Sequence, residues 1–174
     1  MDSTSARALA CSTGLRIGGA LYILAERAGL ADPYYLADAG LRAGLRGAPG
    51  RTLDQDVLQH ARSGLDAAQS SYSVDRAAPF TQAGFMLMGR ILQALEQPDE
   101  HYGLPEIHSL ARSTAALWPG SIGLEIDPGG SLMSYERACQ IDAQRELEAG
   151  GLDRLRQVLG AQELGYRRLA RALA

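Results

Sequence analysis

The chain has 174 residues, a net charge of −3 and a hydrophobic fraction of 46%, and its seventeen basic side chains are all arginine, for it contains neither lysine nor asparagine. A length of this order suits one domain able to bury roughly two-thirds of its unfolded surface. The missing residues exclude a Schiff-base lysine, a phosphate-loop lysine and a catalytic asparagine, and the mildly acidic balance gives no global attraction for nucleic acid or anionic membranes.

Both missing amino acids require adenine-rich codons, which points to a GC-rich bacterial genome. Leucine and alanine supply most of the apolar content, a balance that favours helix over sheet. Cys11 and Cys139 stand far apart and fit no CxxC spacing, which argues against a structural zinc site. The first residues, Met1 to Ser5, are polar and lack the charged and apolar regions of a signal peptide, so a cytoplasmic location is expected. The most apolar segment, residues 14–25, carries Arg16 and is too short to span a bilayer.

The first helix is expected over residues 5–28, stopping at Gly29. Its polar side gathers Ser12, Arg16, Glu26 and Arg27. A wide apolar arc with Leu15, Ile17, Leu21, Tyr22 and Leu24 predicts burial over most of its circumference. Asp32-Pro33 reads as an N-cap and first helical proline, opening a second helix to about Arg46, and residues 47–50 close it. Thr52-Leu53-Asp54-Gln55 matches a capping box, followed by Leu53, Val57, Ala61, Leu65 and Ala68 at helical spacing. Residues 70–75 read as a loop.

A fourth helix starts near Pro79 and ends before Pro98, with Phe80, Leu87, Met88, Ile91, Leu92 and Leu95 marking it as central. Pro105 opens a fifth helix, which Trp118-Pro119-Gly120 terminates. Residues 120–133 form the longest irregular stretch, with a weakly alternating piece at 121–126 and a turn at Asp127-Pro128-Gly129-Gly130. A sixth helix over 134–149 stops at Gly150-Gly151, and a seventh runs from Leu152 to the C-terminus.

The expected fold is therefore an all-α single domain, a bundle of six to seven helices. Residues 14–26 align with 84–96 at a fixed offset, matching both glycines, both terminal glutamates and several apolar positions. An alternative is two three-helix halves, 5–75 and 79–149, followed by the C-terminal helix 152–174. Glycine inside a helix costs about 1 kcal/mol relative to alanine, so Gly14, Gly18, Gly19, Gly84 and Gly89 need a reason: close helix–helix approach, or a flat ligand against a kinked helix.

Several residues could carry chemistry. His101, Glu106 and His108 fall within one short stretch and are the candidate metal ligands, although Arg112 lies one turn after His108 and favours a polar loop instead. His60 follows Asp56 by one turn and reads as half of a surface pair. On the sixth helix Tyr135, Cys139, Asp142 and Glu146 share one stripe, a possible acid–base face, but Cys139 has no adjacent activator. The catalytic candidates are thus His101, His108, Cys139 and Asp142. Tyr22, Phe85, Met88 and Trp118 are candidates for the wall of an internal pocket beside the helix glycines.

The last helix is the strongest candidate for an interaction surface. Leu152, Leu155, Leu159, Gln162, Tyr166, Leu169 and Leu173 make a heptad-like seam with one polar member, and Arg154, Arg156, Arg167, Arg168 and Arg171 occupy the other side. That seam would pack on the parent bundle, form a homodimer or hold a partner. The leading expectation is a small binding or adaptor protein acting through protein–protein contacts, with Arg154, Tyr166, Arg167, Arg168 and Arg171 at the interface. It needs no cofactor, resident metal or membrane, and its acidic remainder disfavours nucleic acid. The alternative is a helical ligand- or metal-binding enzyme with an internal pocket.

Overall fold

The computed structural model describes residues 1–47, 55–69, 77–97, 101–120, 122 and 130–173. The described residues form an all-α bundle: α1 (Ser3–Ala28), α2 (Ala31–Arg46), α3 (Gln55–Gln69), α4 (Ala78–Glu96), α5 (Leu104–Ala116) and α6 (Leu132–Ala172). The capping box at Thr52, the loop at 70–75 and most of the segment 121–129 lie outside the described residues.

Local chemistry sets the helix ends. The Asp2 carboxylate accepts the Ser5 N–H at 2.7 Å, satisfying a donor that the first turn of α1 leaves free. Gly29 closes α1 at φ 71°, where Leu30 N–H reaches back to Ala25 O. Asp32 is not the N-cap of α2: the helix already starts at Ala31, with Leu30 in the capping position, so Asp32 sits in the first turn and favours the helix dipole instead. Ser131 caps α6, its Oγ accepting from Ser134 N–H at 3.1 Å.

α6 is two helices joined at a sharp reversal. Gly150 (φ −151°, ψ 16°) and Gly151 (φ 69°, ψ −159°) leave helical geometry, the second in a region that side chains disfavour. Glu136 meets Tyr166, Cys139 meets Gln162, and Glu146 meets Arg154. These pairs are placed symmetrically about the two glycines, so the N-terminal arm (132–149) and the C-terminal arm (152–172) run antiparallel. The break stands where the glycine pair predicts it.

α1 is the axial helix and packs against α2, α4, α5 and α6. It is also long and apolar enough, by composition alone, to cross a bilayer, but 89% of that window is buried inside the bundle. Its glycines permit close helix approach. A Cβ at Gly14 would stand 2.8 Å from both Ile91 and Leu41, and one at Gly19 only 2.5 Å from the Glu163 carbonyl oxygen. A Cβ at Gly84 would meet Leu21 at 2.8 Å. The space beside these glycines is thus filled by neighbouring helices.

Phe85 and Met88 have no exposed surface and belong to the same core as Phe80, which meets Trp118 edge-on at 4.9 Å between ring centres. The expected pocket wall of Tyr22, Phe85, Met88 and Trp118 is therefore corrected. Three of these side chains are packing elements, and the fourth, Tyr22, joins a tyrosine cluster near the surface. On α3, Ala61 and Leu65 are buried as their spacing predicts, together with Leu58.

Candidate functional site

Two polar constellations stand out, one closed and one open. The closed one is centred on Arg16, which periodicity places on the polar side of α1 yet which is fully buried. The C-terminal arm of α6 needs the glycine surface of α1 to pack, and Arg16 lies one turn before Gly19 on that helix. Burial of its guanidinium is compensated by Glu136, on the N-terminal arm. Arg16 Nη2 donates to Glu136 Oε1 at 2.7 Å and Nε donates to Oε2 at 3.1 Å, a two-pronged pair with neither side chain exposed.

Most of the remaining bonding capacity is also used. Arg16 Nη1 donates to Gln162 at 3.3 Å and Nη2 to Thr13 at 3.2 Å. Glu136 additionally accepts from Tyr166 Oη at 2.7 Å and Gln140 Nε2 at 2.9 Å. Arg112 extends the chain of bonds, donating to Gln140 Oε1 at 2.7 Å. Burial alone would lower the Arg16 pKa, but the Glu136 charge outweighs it and holds the guanidinium protonated. Burial and then Glu136 raise the Tyr166 phenol, which stays neutral and donates.

This arrangement is a lock between helices: four of the five Arg16 N–H groups and both oxygens of Glu136, each accepting twice, are bonded within the protein. A buried, hydrogen-bonded ion pair adds little net stability but penalises every arrangement that separates its partners.

His108 borders the lock. Burial first, and then the Arg16 and Arg112 charges, lower its pKa to about 4, so its imidazole is neutral near pH 7. His101 is exposed, and Glu106 pairs with Arg90 at 3.0 Å. Among the described residues no three His, Cys, Asp or Glu side chains are placed to hold a metal ion, so His101, Glu106 and His108 do not converge. Cys139 is buried rather than presented on an acid–base stripe, and desolvation pushes its thiol up to about 11. Asp142 instead pairs with Arg145 at 2.8 Å.

The seam of the C-terminal arm is used internally. Leu155, Leu159, Gln162, Tyr166 and Leu169 are all buried against the bundle, which removes them from any dimer or partner interface. Tyr166, expected at the contact surface, is corrected to a core residue for this reason. Arg154 is exposed and pairs loosely with Glu146, while Arg168 and Arg171 are exposed and form no ion pair among the described residues.

The open constellation lies where this arm meets α1 and α2. Tyr22, Tyr34 and Tyr35 contact one another edge-to-face with ring centres 5.5–6.1 Å apart. Arg167 lies over the Tyr22 ring, 5.0 Å from its centre. Arg42 bridges two carboxylates, Asp38 at 2.8 Å and Glu163 at 3.1 Å. Tyr35 and Leu36 of α2 and Leu164 of α6 are exposed large side chains, each 45–46% accessible.

The chain matches no family model, no curated protein and no solved structure. Sequence inspection missed Glu136, Gln140 and Tyr35. The first two lie on the same face as Leu132, Ala143 and Leu147, all buried, so polar residues at seam positions were the available signal.

Proposed function

We propose that this chain is a helical binding protein acting through protein–protein contacts, with its surface on the outward face of the C-terminal arm of α6 and the tyrosines beside it. The observation that carries the proposal is the stacking of Arg167 over Tyr22, which joins an arginine-bearing helix face to an aromatic cluster. Arginine and tyrosine are enriched at the energetic centres of protein interfaces, where each combines a large contact area with a polar end that finds a partner. Leu164 offers an apolar anchor one turn before Arg167 and Arg168, and the open cations Arg168 and Arg171 favour an acidic protein surface.

The test is affinity capture from the native host, using the wild-type chain, a Tyr35→Ala/Arg168→Glu variant and a His108→Gln/Cys139→Ala variant, with folding checked by circular dichroism. A specific partner retained by wild type and by the second variant, but lost by the first, is expected. Retention of every partner by the first variant would refute this surface.

A further inference from the structure

The helix contacts obey an internal symmetry. α1 packs on α2, α4, α5 and α6, while α4 packs on α5, α1, α2 and α3; α2 packs on α3 as α5 packs on α6. Exchanging each helix of the first three with the helix three places later returns the same set. The side chains follow. Gly14 meets Ile91 and Gly84 meets Leu21, and in each case the counterpart lies seventy positions away, Gly14 with Gly84 and Leu21 with Ile91. Gly18 faces Met88, its own counterpart, which places a pseudo-two-fold axis at that crossing.

The same relation pairs Gly19 with Gly89 and Arg16 with Met86. Around α1 these positions lie under the C-terminal arm of α6, whose backbone at Glu163 rests on Gly19. Around α4 no helix takes the equivalent place among the described residues. A Cβ at Gly89 would meet only Leu65, at 3.8 Å, and Met86 is 50% exposed where Arg16 is fully buried. A groove of 310 Å³ occupies the position, with Arg62 of α3 on one wall, Met86, Gly89 and Arg90 of α4 on the floor, and Glu106 and Leu110 of α5 on the other wall.

We infer that this groove is a second docking seat, which receives an amphipathic helix of a protein partner, with carboxylates flanking its apolar stripe. The seat on α1 supplies the template. There the docked arm brings a carboxylate, Glu163, to Arg42 of the adjoining helix while its backbone lies on glycine. In the groove, Gly89 permits the same backbone approach, Met86 and Leu110 offer apolar surface, and Arg62 and Arg90 are cations that each already hold one carboxylate of the bundle, Glu96 and Glu106, as Arg42 holds Asp38. The Arg90–Glu106 pair is exposed, with Glu106 66% accessible, so exchanging it for a partner carboxylate costs little. This surface is separate from the tyrosine–arginine face and does not depend on it.

Titration of the full chain, labelled at its methionine methyl groups, tests the seat by NMR. The probes are two synthetic amphipathic helices with one leucine stripe and a central alanine, one flanked by glutamate and the other by arginine. The glutamate helix should move the Met86 signal and bind about tenfold or more tighter than the arginine helix. Gly89→Leu has room to fold, as an unchanged Met88 signal would show, and should weaken binding by about tenfold or more. Arg62→Glu/Arg90→Glu should reverse the preference between probes. Equal or reversed affinity for the wild-type chain overturns the proposal. So do a response at Met133, which is exposed at the start of α6 and does not line the groove, in place of Met86, unchanged binding by Gly89→Leu, or no binding by either probe. A Met86 shift on raising protein concentration alone would assign the groove to a second copy of this chain and likewise overturn it.

Discussion

Arg16 and Glu136 meet 120 positions apart in the chain, joined by two hydrogen bonds and wholly removed from solvent. Glu136 is the common acceptor for α1 and both arms of α6, so its charge holds three helical segments in register. Replacing it with leucine should cost about 3–5 kcal/mol, because the Arg16 cation would stay buried without a counter-charge. Urea unfolding at pH 7 measures this. A loss below about 1 kcal/mol would show that water or another carboxylate reaches Arg16.

Gly19 and Gly89 make a matched pair of substitutions. Gly19→Ala places a methyl 2.5 Å from the Glu163 backbone, which cannot swing aside as a side chain can, and should destabilise by about 1–3 kcal/mol. Gly89→Ala has space and replaces a poor helix former, so it should stabilise by about 0.4–1 kcal/mol. Thermal unfolding of the two variants should move in opposite directions.

His108 links stability to acid. Its pKa is about 4 in the folded chain against an ordinary value of 6.5, so between these limits the unfolded chain binds the extra proton and the folded chain does not. The stability from neutral His108 is therefore complete above about pH 6.5 and is lost as pH falls toward about 4, by about 3 kcal/mol in all. His108→Gln should flatten the stability profile across that window relative to wild type. An unchanged profile would refute the assignment.

Cys11 and Cys139 should be inert in the native protein. Burial pushes the Cys11 thiol up to about 12 and the Cys139 thiol up to about 11, so neither supplies appreciable thiolate near pH 8. Iodoacetamide should label neither until denaturant is added, and then both. Rapid native labelling at Cys139 would place it at an accessible surface.

Much of the helical order is legible locally. Gly29 ends α1, and the Gly150-Gly151 pair splits α6, because both signals reside in the backbone freedom of a few adjacent residues. The arrangement around Arg16 is not legible in that way. Periodicity puts Arg16 opposite the apolar arc and so predicts exposure, but α1 is enclosed on that side too, by a hairpin whose counter-ion is far off in sequence. Tyr166 illustrates the same limit: its place in the seam marks it for contact, and only the fold decides that the contact is internal. Cys139 and Asp142 share one stripe in sequence, yet the thiol faces the bundle and is buried while the carboxylate, three residues on, stays partly exposed and pairs with Arg145. The glycine echo between α1 and α4 was visible, whereas its meaning depended on seeing the two helices cross at Gly18 and Met88.

The distance between Arg16 and Glu136 also sets a timetable. A ribosome adding about 5–20 residues per second needs roughly 6–24 s to reach Glu136 after Arg16 has been joined to the nascent chain. For that interval the central helix is an apolar rod carrying a cation with no counter-ion, and the hairpin that will enclose it has not been made. The core around α1 can therefore close only after Glu136 and the hairpin that carries it have been added, however early the first helices form.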